Sequence, residues 1–288
     1  MRTVGLGQGL LVLAIAGLAI LNLNFHDFAP MWGSIPAGIP WREAWVRGIA
    51  LLLLTAGVGL CFSRTAIPSA LTIGVYLAIW AMTGVFPILS KPLSIGSWYG
   101  LCEALTSLAG TCILYAAFRW LSRNRSLPTI GENTVRAAQV IFGVTCIFYG
   151  ISHFAYSEYT ASMVPAWLPS RLAFAYFTGL CYIAAGIGII LRILARLAAT
   201  LVAIMMSLFG LLVWVPSFFA HPKPAWATPP QNQWSELEVN LLLAASAWIV
   251  ADSLRTRPWG SEPSSSPSSL TAMTFSSASR SSERHASR

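Results

Sequence analysis

The chain has 288 residues, of which 56% are hydrophobic and only 10% charged, with a net charge of +8. A soluble globular chain carries roughly 25% charged residues, so this composition excludes a water-soluble fold. The basic balance does not point to nucleic acid either, because the cations are not gathered with interleaved aromatics on a polar domain.

Taken in chain order, apolar runs bounded by Pro, Gly and charge predict helices at about 4–23, 44–62, 66–86, 98–118, 136–153, 173–190, 196–215 and 237–254. Each is near the roughly 20 residues that a bilayer crossing requires. Backbone groups find no water in hydrocarbon, so a helix is the solution open to a single segment, and the alternating polarity of barrel strands is absent. The expected fold class is therefore all-α, a polytopic membrane protein with eight transmembrane helices. The first run follows Arg2 but is not closed by a small-residue cleavage motif, and it is read as a retained helix.

Lys and Arg distribute unevenly between the two sides that these spans define. Thirteen, among them Arg2, Arg64, Arg192, Arg196 and Arg255, fall on one side, and five, Arg42, Arg47, Lys91, Arg171 and Lys223, on the other. Cytoplasmic loops retain basic residues, so both termini are expected in the cytoplasm, with the protein in a bacterial inner membrane. Trp32, Trp41, Trp45, Trp98, Trp167, Trp226 and Trp234 fall on the opposite side, where an interfacial aromatic belt is expected.

A shift of 129 positions aligns Phe25 with Phe154, Pro36 with Pro165, Ala37 with Ala166, Pro40 with Pro169, Arg42 with Arg171 and Ala44 with Ala173. Further on, Ala56, Gly57 and Gly59 meet Ala185, Gly186 and Gly188, and Pro87 meets Pro216. Prolines and glycines fix local backbone geometry, which an apolar background does not supply by chance. Four helices is an even number, so two such units are parallel repeats about an axis along the membrane normal. The expected organisation is a first repeat over 1–118, a basic cytoplasmic linker over 119–135, a second repeat over 136–256 and a disordered Ser-rich tail over 257–288. The small residues at 56–59 and 185–188 are expected at helix contacts.

Ionisable groups in membrane spans are costly, and the few present are the candidates for function. Glu103 lies about five residues inside the fourth predicted helix, roughly 7 Å deep at ~1.5 Å per residue. Arg47 at similar depth is a candidate ion-pair partner for it. Glu236, Glu238 and Asn240 open the eighth helix, and Arg171 precedes the sixth. Together they predict either a polar pocket open to the exoplasmic side or structural ion pairs at helix ends. His26, His153 and His221 fall on the same side without ligand spacing, so no metal site is assigned. Cys61, Cys102, Cys112, Cys146 and Cys181 sit in apolar runs with no C-x-x-C pair and are read as buried small hydrophobes.

The segments Phe148-Tyr-Gly-Ile-Ser-His153-Phe-Ala, Thr160-Ala-Ser-Met-Val-Pro-Ala-Trp-Leu-Pro169, Tyr176-Phe-Thr-Gly-Leu and Ile183-Ala-Ala-Gly-Ile-Gly188 resemble the DoxX-like bacterial membrane proteins. The likeness covers about 136–254 and, through the duplication, more faintly the first half. It implies an inner-membrane protein associated with quinone-linked redox complexes, with a quinone as cofactor and a redox membrane protein as partner, and no catalysis of its own. The doubled length departs from the usual four-helix form. A small-solute transporter and a structural or assembly protein remain the alternative readings.

Overall fold

The computed structural model describes residues 5–29, 38–122 and 131–255. Trp32, Pro36, Ala37, most of the basic linker and the Ser-rich tail lie outside these residues. Within them the chain is helical, with no strand. The helices are α1 (Leu6–Phe25), α2 (Arg42–Gly59), α3 (Ala66–Thr83), α4 (Val85–Ser90), α5 (Tyr99–Leu121), α6 (Glu132–Ala155), α7 (Ser157–Met163), α8 (Arg171–Leu191), α9 (Ala195–Phe209), α10 (Val215–Phe219) and α11 (Pro230–Ser253).

Local chemistry explains the breaks. Pro68 falls in the first turn of α3, where its missing N–H costs nothing, and Pro87 sits in the same position of α4. Between α9 and α10 the helix does not stop. Residues Gly210–Trp214 widen into a π-turn in which the Val215 N–H donates to the Gly210 carbonyl. Pro216 follows directly and withholds the N–H that the Leu212 carbonyl would otherwise accept, so the ladder shifts its register just before it.

Six segments are long and apolar enough to cross a membrane: Leu6–Phe25, Ala66–Ser90, Ile95–Leu121, Glu132–Ala155, Arg171–Leu191 and Ala195–Phe219. α2 and α11 are as long as helices but more polar. Several boundaries differ from the sequence expectation. α11 starts seven residues early, at Pro230, and both ends of the predicted linker are helical, with Arg119 buried in α5 and α6 beginning at Glu132.

Spans that follow one another in the chain pack antiparallel, whereas α5 and α11 run the same way. Gly57 of α2 faces Val12 and Ile15 of α1, Gly84 meets Leu101 across α3 and α5, and Ser207 of α9 accepts the Trp248 indole N–H of α11 at 3.1 Å. Following these contacts, α1, α2, α3, α5 and α11 close one ring, and α5, α6, α8, α9 and α11 close a second. The rings share the α5–α11 edge. α11 accordingly touches α1, α5 and α9 at once, and its polar residues Gln233, Ser235, Glu238 and Asn240 are buried in protein. A helix shielded this way need not be uniformly apolar, which is why its composition falls short of a lipid-facing span.

The tightest seam lies between α6 and α8. Gly143 and Gly150 on α6 oppose Gly186 and Gly179 on α8, two glycine pairs separated by two helical turns on each helix. Small residues let the backbones approach closely enough for dispersion contacts along the whole seam. Arg136 reinforces one end, donating to the Ile189 carbonyl at 3.1 Å and to that of Ile190, the last turn of α8. That turn is where unsatisfied carbonyls and the negative end of the helix dipole favour a cation.

The two rings differ inside. Leu11, Ile15, Leu18, Leu53, Ile73 and Leu77 are fully buried in the first, and Trp80 lies edge-on to Tyr76 at 6.0 Å between ring centroids. The second ring is hollow.

Candidate functional site

The second ring encloses a cavity of about 1500 Å³, walled by α5, α6, α8, α9 and α11, with α7 and the residues around it at the mouth. Four sequence candidates converge on it: Glu103 from α5, His153 from α6, and Glu236 and Asn240 from α11. Glu236 and Asn240 are one turn apart and share a face, whereas Glu238 between them points the other way.

The α6 wall is fixed by a chain of hydroxyls. Thr106 Oγ1 lies 2.7 Å from both the Cys102 carbonyl and Thr145 Oγ1, and 2.9 Å from the Tyr149 hydroxyl. Thr106 and Tyr149 share one hydrogen bond in which either hydroxyl can donate. One turn on, His153 Nδ1 is 2.8 Å from the Tyr149 carbonyl. A carbonyl only accepts, so Nδ1 carries the proton, and the neutral ring has its lone pair on Nε2.

Aromatic rings surround this pair. His153 stacks on Phe209 at 6.2 Å and tilts against Tyr182 at 5.3 Å, and Tyr182 lies 5.8 Å from Tyr149. The π-turn begins at Gly210, directly after Phe209, and a Cβ at Gly210 would lie 2.7 Å from Asn240 Oδ1. That oxygen is buried with no hydrogen-bond partner. Trp214 and Trp226 meet edge to face at 5.8 Å near the mouth. Glu103 lies within electrostatic reach of Tyr99 and Tyr149, and Glu236 of Tyr159. Burial, with Glu236 nearby, raises the Tyr159 phenol above its ordinary value.

Polarity is graded along the cavity. Tyr99, Glu103, His153, Tyr159 and Glu236 cluster where α5 and α11 begin and α6 ends, and the half toward the α8–α9 turn is lined by Leu194, Leu197, Ala198 and Leu201. α8 and α9 close on each other at their short turn, where Gly188 abuts the Ile193 carbonyl and Ala198, and they diverge from there. Phe177, Leu201, Ile204 and Leu208 both line the cavity and are exposed, so it opens sideways between α8 and α9.

The remaining candidates lie elsewhere. Arg47 does not reach Glu103, since it pairs with Glu43 one turn away on α2, an exposed i,i+4 contact. Arg171 starts α8 exposed and away from the cavity. Glu238 is buried against Gly17 of α1, with Oε2 lacking a partner. His26 caps α1 in a left-handed conformation with φ 53°, and His221 is exposed between α10 and α11. Among the described residues no three His, Cys, Asp or Glu gather as metal ligands.

Two expectations are corrected by exposure. Cys61 is exposed at the bend after α2, unlike the buried Cys102 and Cys146, because α2 ends at Gly59 and not at 62. Trp226 lines the cavity, whereas Trp41, Trp45, Trp98, Trp167 and Trp234 are exposed. Sequence reasoning missed Tyr99, Thr106, Tyr149, Tyr182 and Phe209. The i,i+4 placement of Tyr149 and His153 was the one local signal for them. An ion pair between Asp27 and Arg42 at 2.6 Å, with Arg42 5.2 Å from the Phe28 ring centre, was likewise not foreseen.

Residues 142–251 match a family described as a domain of unknown function, DUF8561. The match runs from α6 into α11 and so spans every wall of the cavity except α5. No curated protein and no solved structure matches the chain.

Proposed function

We propose that this chain is an eight-span inner-membrane protein of two parallel repeats, related to the DoxX-like proteins, that binds a quinone in its second ring. In this reading it serves a redox partner in the membrane, with both termini in the cytoplasm. The pairing of helices supports the repeat. Under exchange of halves, α1–α2 corresponds to α6–α8, α2–α3 to α8–α9, α3–α5 to α9–α11 and α1–α11 to α6–α5, while α5–α11 maps onto itself. Parallel repeats about an axis along the membrane normal generate this pattern.

One observation carries the ligand assignment. The cavity is polar and aromatic at one end, apolar at the other, and open sideways through exposed apolar residues. A ligand with a flat polar ring and a long apolar tail fits that gradient. The ring would sit among Tyr149, His153, Tyr182 and Phe209, and the tail would leave between α8 and α9 toward lipid. Solute transport draws less support, because the half of the cavity near the α8–α9 turn offers a polar solute no partners.

The test is purification of the full chain in mild detergent followed by organic extraction and mass spectrometry. A near-stoichiometric isoprenoid quinone is expected, reduced by Tyr182→Ala. Recovery of phospholipid alone, with no quinone retained on the protein, would overturn the assignment.

A further inference from the structure

We propose that the cavity of the second ring is also a binding site for amphiphilic organic cations, molecules that carry a quaternary or protonated amine on an apolar tail. This ligand class is separate from the quinone and follows from the charge and aromatic character of the lining. Glu103 and Glu236 bring acidic groups to the cavity, the Nδ1-protonated His153 ring is neutral, and among the described residues no Lys or Arg lines the space. Of the basic residues at the same end of the helices, Arg42 pairs with Asp27, Arg47 with Glu43, and Lys223 donates to the Ser217 and Phe218 carbonyls. Whatever the two carboxyl groups bond within the protein, their fields add with the same sign, and negative charge in a space of low dielectric constant is costly until a cation answers it. A carboxyl protonated in the empty cavity can lose its proton to water when the cation arrives. Helix ends do not reverse the sign: α5 and α11 begin at this level and α6 ends, each with about half a charge that fades within one turn.

Aromatic rings supply the second half of the recognition. Tyr99 lies within electrostatic reach of Glu103 and Tyr159 of Glu236, and Tyr182 and Trp226 also line the space. Ring faces attract a quaternary or protonated amine, most strongly where water is excluded. An anionic head would instead meet two acidic groups with no guanidinium or ammonium to answer it. The apolar tail would run past Leu197 and Leu201 and leave between α8 and α9.

The experiment is calorimetric titration of the full chain in dodecyl maltoside, an uncharged detergent. The titrants are decyltrimethylammonium, decyl sulfonate and decylphosphocholine, each kept below its critical micelle concentration and corrected against protein-free micelles. Saturable ammonium binding at least about ten-fold tighter than that of the sulfonate is expected. Equal binding, tighter sulfonate binding or no saturable ammonium binding would overturn the proposal. Decylphosphocholine binding as tightly as the ammonium also overturns it, because that result points to a zwitterionic lipid head. The double variant Glu103→Gln/Glu236→Gln is expected to lose about ten-fold or more in ammonium affinity, and undiminished affinity in the folded variant would sink the charge-based assignment. Should that variant not fold, the wild-type order of the three titrants still decides. Quinone extracted from a chain that does not bind the ammonium leaves the quinone site standing and removes this one, and ammonium binding without quinone does the reverse.

Discussion

A Cβ built on Gly186 would lie 2.5 Å from the Gly143 carbonyl oxygen, and one built on Gly143 would lie 2.9 Å from that of Gly186. Neither helix can yield alone, because the same contact recurs two turns away at Gly150 and Gly179. Gly186→Val is therefore expected to force α6 and α8 apart and to destabilise the fold by at least the ~1–3 kcal/mol typical of overpacking. Loss of helical circular dichroism against SDS fraction in mixed micelles would measure it. An unchanged midpoint would mean that the seam is not close-packed.

The Thr106 hydroxyl is hydrogen-bonded to the Tyr149 hydroxyl and in turn to its own surroundings. Thr106→Val preserves shape but leaves the buried Tyr149 hydroxyl without this partner, and a cost of about 1–3 kcal/mol is expected. Thr106→Ser, which retains the oxygen, is expected to stay near wild type in the same micelle titration. Equal stability of the valine and serine variants would remove the hydroxyl chain from the account.

Arg136 bridges two carbonyls at the end of α8. Replacing it with Met removes the charge and both bonds, for an expected loss of roughly 1–2 kcal/mol. Arg136→Lys is expected to recover only part of that, since an ammonium is a point donor and not a planar fork. Hydrogen exchange at the last turn of α8 is the readout, and faster exchange in the Met variant is the expected outcome.

Trp80 fills the first ring against Tyr76. Trp80→Ala is expected to cost about 3–5 kcal/mol and to open a void there. Thermal inactivation of the folded state, followed by size-exclusion chromatography, would register it. A variant as stable as wild type would show that the first ring collapses around the loss.

Cys61 is exposed beside Arg64 at the α2–α3 bend, and Cys102 and Cys146 are buried. On the proposed orientation, with both termini in the cytoplasm, a membrane-impermeant maleimide is expected to label Cys61 in inverted vesicles and not in intact spheroplasts. Labelling in spheroplasts would reverse the orientation.

Much of the helical layout was legible in the sequence. The free energy of moving a segment into hydrocarbon is nearly a sum over its own residues, so each apolar run between prolines, glycines and charges declares itself without reference to its neighbours. The A-G-x-G pieces likewise announced close contacts, and Gly57 and Gly186 do face adjoining helices. α11 was the hardest to bound, because its first turns are polar and only burial between α1, α5 and α9 makes them acceptable.

The site was only half legible. Glu103, His153, Glu236 and Asn240 stood out as polar residues in apolar surroundings, but nothing local separated them from Arg47, Arg171, Glu238, His26 and His221. Glu236 and Glu238 sit two residues apart on one helix and face different rings, a distinction set by which helices flank α11. Glu103 and His153 share a cavity because α5 packs on α6. On the 129-residue shift Trp80 aligns with Phe209 and Tyr76 with Met205. That one ring is filled and the other hollow follows from how such side chains interlock, which depends on several helices at once. Transfer into lipid is additive along a chain, so sequence alone determines the helices; packing is not additive, so only the tertiary structure decides which of their residues meet.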